Sequence, residues 1–242
     1  MSNAYFQFKQ FTIWHQRCAM KVGTDGVLAG ALAPVEGFKQ ILDVGTGSGL
    51  IALMLAQRCP KAQITAIEID DDAAAQAAEN FAASPWAERI HLIHGDFNEF
   101  TTETKFDLII SNPPYFTDAL KNPDHQRSVA RHNDTLNYHQ LFLQARRLLQ
   151  PTGVCCIIIP TGNEIFVNDM AARHHFFPKA VTRIFTKPGK PCRRVFITYW
   201  RGNENDLYYP EEKSEQILYL MDADSNYSAD YRKLTEDFYI KL

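Results

Sequence analysis

The sequence predicts an α/β protein built on a seven-stranded, mostly parallel sheet that an antiparallel hairpin closes. Three observations predict it. Short β-branched runs alternate with stretches of helical periodicity, the pattern of successive βαβ units. A glycine-rich turn joins the first of these strands to its helix. Two last extended runs are separated by a segment too short for a crossover, so they must pair antiparallel.

Taken in order, strands are expected at Ile41 to Val44, Gln63 to Glu68, Ile90 to His94, Phe106 to Ile110 and Gly153 to Ile159. Between them, Leu50 to Arg58, Asp72 to Ala83 and Leu136 to Leu149 carry apolar residues at helical spacing, the last with Thr135 as its expected N-cap. Asp70, Asp71 and Asp72 suit a first helical turn, where the helix dipole favours acids. The closing hairpin joins Ala180 to Thr186 with Arg194 to Trp200 through Lys187-Pro188-Gly189-Lys190-Pro191, a run of turn formers. Tyr115 to Asn133 is too long for a simple connection and reads as a functional loop.

With 242 residues and 45% apolar content, the chain supports one sizeable core. Its apolar runs, such as Val154 to Ile159, fall far short of the roughly 20 residues that span a bilayer, and no basic-then-apolar leader opens the chain. Five cysteines without a C-x-x-C pair argue against a disulfide framework and against a zinc site. A cytoplasmic, reduced protein with no membrane association and no metal is expected. His91-x-x-His94 lacks a third ligand, and His174-His175 is read as structural.

The net charge of −3 hides an asymmetry. From Arg173 to Arg201 there are eight basic residues and no acid, whereas from Gly202 to Leu242 ten acids face four bases. A solvated surface is the ordinary reading of such a run, and a phosphate-facing surface is the alternative.

The turn after the first strand reads Asp43-Val44-Gly45-Thr46-Gly47-Ser48-Gly49 and opens a helix, so backbone without Cβ atoms can approach a ligand closely. Its G-x-G-x-G spacing departs from the G-x-G-x-x-G of nicotinamide and flavin binders. Asp43 adds a carboxylate suited to an ammonium. Glu68 ends the next strand, 23 residues after Gly45, where a carboxylate can accept two ribose hydroxyls, and Ile69 beside it belongs to the same set. Asp96, after the third strand, can accept from an adenine amino group while Phe97 covers the ring. S-adenosylmethionine carries an α-amino group and a sulfonium but no phosphate, so an acidic glycine-rich loop fits it better than it fits a pyrophosphate.

Asn112-Pro113-Pro114-Tyr115 follows the fourth strand, at the carboxyl edge where open α/β sheets place their ligands. An exocyclic amino group conjugated to a ring is a poor nucleophile because its lone pair is delocalised. The Asn112 side-chain oxygen and the Pro113 carbonyl can each accept one amino hydrogen, which directs the remaining lone pair at the methyl. Two prolines stiffen the turn, and Tyr115, with Phe116 behind it, can stack on the planar acceptor. Lys121, Arg127 and Arg131 in the loop, and Lys187, Lys190, Arg193 and Arg194 on the hairpin, are the candidate phosphate contacts. Arg193 and Arg194 are adjacent on one strand and cannot both face outward.

On these residues the chain resembles class I methyltransferases of the amino-methylating branch, with their Rossmann-like sheet of five parallel strands and a closing hairpin. Phe11-Thr12-Ile13, Cys18 to Leu28, Ala130 to Asp134, Tyr227 to Tyr231 and Asp237 to Tyr239 are similar to the family that methylates the N6 of adenine beside the anticodon, at position 37, of a valine tRNA. The resemblance covers nearly the whole chain. It implies S-adenosylmethionine as cofactor, tRNA as partner, and packing of Lys21 to Gly26 over the methionine end of the cofactor with Asp25 a candidate contact; no obligate protein partner is evident in the sequence. The same branch contains glutamine N5 and ribosomal RNA guanine N2 enzymes, and a non-catalytic RNA-binding module is a further alternative. The basic run and the absence of a separate substrate domain favour RNA as substrate. Intact Asn-Pro-Pro-Tyr beside an intact glycine turn favours catalysis. The expected organisation is an N-terminal extension over the cofactor site (1–36), a methyltransferase core (37–201) and an acidic extension within the same domain (202–242).

Overall fold

The computed structural model describes residues 3–113, 137–203 and 213–241. The chain opens with a small antiparallel ribbon, β1 (Tyr5–Gln7) and β2 (Thr12–Trp14), and then helix α1 (Thr24–Leu32). The alternating part follows as β3 (Gln40–Val44), α2 (Leu50–Arg58), β4 (Gln63–Glu68), α3 (Asp71–Ala82), β5 (Ile90–His94) and β6 (Phe106–Ser111). From residue 137 onward come α4 (Tyr138–Leu148), β7 (Leu149–Pro160), α5 (Glu164–Arg173), β8 (Phe176–Phe185) and β9 (Cys192–Arg201), then β10 (Ser214–Tyr219) and α6 (Ala229–Thr235).

The main sheet runs β10-β8-β9-β7-β6-β3-β4-β5. Every neighbouring pair is parallel except that β9 lies antiparallel to both β7 and β8. The seven strands expected from the sequence are all present. An eighth, β10, adds itself parallel to β8 at the edge. Its side chains are mostly exposed, so it carries no alternation that a sequence reading detects.

Successive residues of a strand point to opposite faces, and here both faces are covered. Ile41, Ile64, Leu108, Ile110 and Cys156 pack with α1, α2, α3 and Phe8, Ile13, Tyr231 and Phe238 from the two ends of the chain. Leu42, Val44, Ile109, Cys155 and Ile157 pack on the other face with Leu141, Phe142 and Ala145 of α4 and Val167 of α5. This is why the central strands read as continuous apolar runs; each fully buried aliphatic or Phe side chain is worth about 1.5–3 kcal/mol of transfer free energy.

The starts of α3 and α4 follow capping chemistry. The Asp70 side chain accepts the Ala73 N–H at 2.8 Å, and Asn137 accepts the Gln140 N–H at 2.9 Å. The cap of α4 is thus Asn137 rather than Thr135, which lies outside the described residues. No helix among the described residues is long and apolar enough to cross a membrane.

Candidate active site

The glycine turn lies between the tip of β3 and the start of α2. Gly45, Gly47 and Gly49 have φ of 69°, 56° and 85°, left-handed values that cost a side-chain-bearing residue strain. A Cβ at Gly45 or Gly47 would meet no atom within 4 Å, whereas one at Gly49 would lie 2.4 Å from the Phe81 ring. Gly49 is therefore required for packing, and the other two keep backbone open to a cleft. The turn is tied down from outside. Gly45 and Thr46 donate to the Ile67 carbonyl at 2.9 and 3.1 Å, and the Gly47 N–H donates to Glu68 Oε2 at 2.7 Å.

That cleft has a volume of about 360 Å³. One wall is the segment Met20 to Gly26, the floor is Gly45 to Ser48 with Leu50 and Ile51, and Asn112 and Arg194 complete it. Two polar side chains that the sequence reading passed over hold the N-terminal wall in place. His15 is 5% exposed; its Nδ1 accepts the Val22 N–H at 3.3 Å while Nε2 donates to the Asn3 carbonyl at 3.0 Å. Asn80, 1% exposed, accepts the Trp14 N–H at 2.9 Å and donates to the carbonyls of Trp14 and Ser48, both at 2.8 Å. The signal for Asn80 was present: it occupies a position on the apolar stripe Ala73, Ala74, Ala77, Phe81 of α3, where an amide survives only if fully bonded.

Asp43 is placed differently from expectation. It is fully buried beneath the turn, where Oδ2 accepts the Thr46 hydroxyl at 2.5 Å and the Ala52 N–H at 3.1 Å, and it does not line the cleft. It shapes the turn rather than meeting an ammonium directly. Burial pushes its carboxyl up to about 7, against the opposing pull of the two hydrogen bonds. Asp25 lies in the wall of the cleft, and its Oδ2 accepts from Arg194 Nε at 2.8 Å.

The tips of β4 and β5 carry the remaining expected residues, beyond the enclosed part of the cleft. Glu68 is held by three backbone amides, those of Gly47, Ile69 and Asp70. Ile69 is 46% exposed next to it. Asp96 Oδ1 is engaged by the backbone and side-chain nitrogens of Asn98 at 2.8 and 2.9 Å. The Phe97 ring is 5% exposed and packs into the core with Leu42 and Ile67, which leaves little of it to cover an adenine. Ile69 is the exposed apolar side chain at this end.

Asn112, half-buried, and Pro113, buried, follow β6 directly; Pro114, Tyr115, Lys121, Arg127 and Arg131 lie outside the described residues. The four basic side chains expected on the hairpin are placed differently from one another. Arg194 turns into the cleft, and Lys187 Nζ donates to Ser225 Oγ at 3.1 Å, while Lys190 and Arg193 are exposed. The acid-free run finds its partners elsewhere in the chain: Arg173 pairs with Asp169 and Arg183 with Glu164 and Glu215. His94 pairs with Asp71 at 2.9 Å, His174 meets His139, and no metal-holding group is present among the described residues.

A parallel sheet closed by one antiparallel strand, a left-handed glycine turn after β3 and Asn-Pro at the end of β6 beside it are the features of a class I methyltransferase. The family model described as methyltransferase small domain matches residues 22–166. A Bacteroides thetaiotaomicron protein named tRNA1(Val) (adenine(37)-N6)-methyltransferase is 48% identical over 243 residues, spanning 100% of each chain. A Bacteroides fragilis protein of the same name is 47% identical over 245 residues, again spanning 100% of each. The chain belongs to the tRNA1(Val) (adenine(37)-N6)-methyltransferase family. In fold it is similar to a predicted O-methyltransferase from Agrobacterium tumefaciens, with a TM-score of 0.66, 18% identity, and coverage of 88% of this chain and 96% of that one.

Proposed function

We propose that this chain transfers a methyl group to the N6 of the adenine at position 37 in a valine tRNA. The observation that carries the reading is that Asn112 lines the same cleft as Gly45 and Gly47, so an acceptor held at the strand end faces the cofactor turn. S-adenosylmethionine, when bound, supplies a methyl on a sulfonium. The residues fit it: Gly45 and Gly47 leave room that a Cβ would fill, Asp25 offers a carboxylate in the cleft, and Glu68 and Ile69 at the end of β4 suit a ribose and an adenine face.

Asn112 and the Pro113 carbonyl each accept one hydrogen of the amino group and aim its lone pair along the line of transfer. Orientation is the main catalytic contribution, because the nitrogen sheds its proton only after becoming cationic and needs no strong base. Tyr115 is assigned to stacking on the base, which must leave its own stack to reach the strand ends. The expected place of work is the cytoplasm, where tRNA is modified.

The test is to incubate the purified chain with labelled S-adenosylmethionine and unmodified valine tRNA transcript, then analyse nucleosides by mass spectrometry. N6-methyladenosine that disappears when position 37 is changed to guanine is the expected result. No label in the transcript, with label in a release factor glutamine or a ribosomal RNA guanine when those are supplied in parallel reactions, would reject the reading.

A further inference from the structure

Among the described residues, the most exposed large apolar side chain is Ile165, at 86%, and Phe166 next to it is 57% exposed. Both stand in the first turn of α5, whose buried side is formed by Val167 and Ala171. A helix turns by about 100° per residue, so Ile165 faces away from Val167 and Phe166 flanks the buried side. Their place in the fold gives this exposure a meaning. Ser111 of β6 pairs with Ile157 of β7, so β7 runs past the level of Asn112 to Pro160, and one tight turn, Thr161–Asn163, leads into α5. The first turn of α5 therefore stands at the strand ends beside Asn112, outside the cleft that holds the glycine turn, which neither Ile165 nor Phe166 lines.

We propose that Phe166, with Ile165 beside it, is the stacking platform for one of the two nucleotides that flank the methylated adenine. This rests on the tRNA reading above and names where a base next to the target goes. Drawing the target out of its stack strips each neighbour of one stacking partner, and an aromatic ring at the same sheet edge restores the lost contact without reading base identity. The Phe166 ring is already oriented, since it meets buried Tyr138, the first residue of α4, with centroids 6.2 Å apart at 70°. Less freedom is then lost when a base arrives.

The charges around the platform suit a backbone of phosphates. The acids of α5 are held in ion pairs, Glu164 with Arg183 and Asp169 with Arg173. The Thr161 hydroxyl donates to Cys192 Sγ at 3.3 Å, which ties the turn before α5 to the first residue of β9, next to exposed Arg193. An aromatic surface with a cation at its side is the arrangement that holds single-stranded nucleic acid. Two side chains are too small an area for a stable protein interface, which takes about 800 Å² from each partner.

Filter binding with the full-length chain tests this, using intact valine tRNA and two tRNAs that carry an abasic ribose immediately 5′ or immediately 3′ of the target adenine. Phe166→Ala is expected to weaken binding of intact tRNA by about tenfold, and Phe166→Tyr, which keeps the ring, to stay within about twofold of the natural chain. With one of the abasic tRNAs the natural chain and Phe166→Ala should bind alike, because the stacked base is gone from both. Ile217→Ala, which removes an exposed apolar side chain from β10, should leave tRNA affinity unchanged, and calorimetry with S-adenosylhomocysteine should show Phe166→Ala to be folded. Unaltered binding of intact tRNA by Phe166→Ala overturns the proposal, as does a loss that persists with both abasic tRNAs. Self-association of the natural chain that Phe166→Ala abolishes would also overturn it, by assigning the surface to a second copy. If the natural chain methylates the intact tRNA while Phe166→Ala binds it normally, the platform alone fails; if the natural chain does not methylate it, the tRNA reading falls and the platform with it.

Discussion

Glu68 Oε2 accepts the Gly47 N–H at 2.7 Å, so the tip of β4 and the glycine turn after β3 are one hydrogen-bonded unit. The carboxylate expected to read a ribose therefore also shapes the loop beside it, since its other oxygen holds the amides of Ile69 and Asp70 at 2.9 and 3.0 Å.

Replacing Glu68 by Ala should accordingly have two effects. Loss of a charge-assisted acceptor weakens cofactor binding by about 1–3 kcal/mol, and three amides lose their partner, lowering fold stability by a similar amount. Calorimetry and urea denaturation measure the two separately. Unchanged affinity with lowered stability would leave Glu68 a loop-shaping residue only.

Asn112→Ala should separate binding from chemistry. Cofactor affinity stays nearly unaltered, while single-turnover methyl transfer falls by a factor on the order of a hundred or more as the amino nitrogen loses its orientation. Near-normal transfer would remove Asn112 from the reaction.

For the RNA surface, the ion pair of Arg194 narrows the hairpin's contribution to Lys190 and Arg193, which are exposed. Changing both to Ala should weaken tRNA binding and leave cofactor affinity alone. The slope of log affinity against log salt should fall by about 1–2, near one unit for each phosphate that a cation no longer neutralises. A salt series by filter binding decides, and an unaltered slope would return these residues to ordinary solvated surface.

Asp43 makes stability depend on pH. Its carboxyl is raised to about 7 in the folded chain by burial, so the neutral form is favoured there. Stability from this group is fully present below the unfolded carboxylate pKa near 4 and is lost as pH rises through about 7. Asp43→Asn keeps an acceptor for Thr46 and Ala52 but has nothing to titrate. Its stability relative to the natural chain should therefore rise steadily across that window. Urea midpoints at pH 4.5 and pH 7.5, about the two ends of the window, give the comparison. A constant difference between the two proteins would show that Asp43 titrates normally.

Features with local signals were legible in the amino-acid order alone. The central strands announce themselves by apolar runs, α2 and α3 by their period, and the glycine turn and Asn112-Pro113 by position at strand ends, because a residue's preference for strand, helix or turn is set mainly by its near neighbours. Alternation along a strand also required that Arg193 and Arg194 face opposite ways. Which of the two turns inward follows from the folded chain instead. Arg193 is exposed and Arg194 meets Asp25, an acid that comes from the opposite end of the chain. The same holds for Asp43, Phe97 and Asn80. Each stands in or beside a recognised motif or stripe, yet its role depends on burial, which is a property of what packs over it. β10 was invisible because a polar edge strand is defined by the neighbour it pairs with, β8, rather than by its own pattern. Ion pairs, burial and edge pairing depend on distances through space, and those exist only once the sheet has brought distant parts of the chain to one edge.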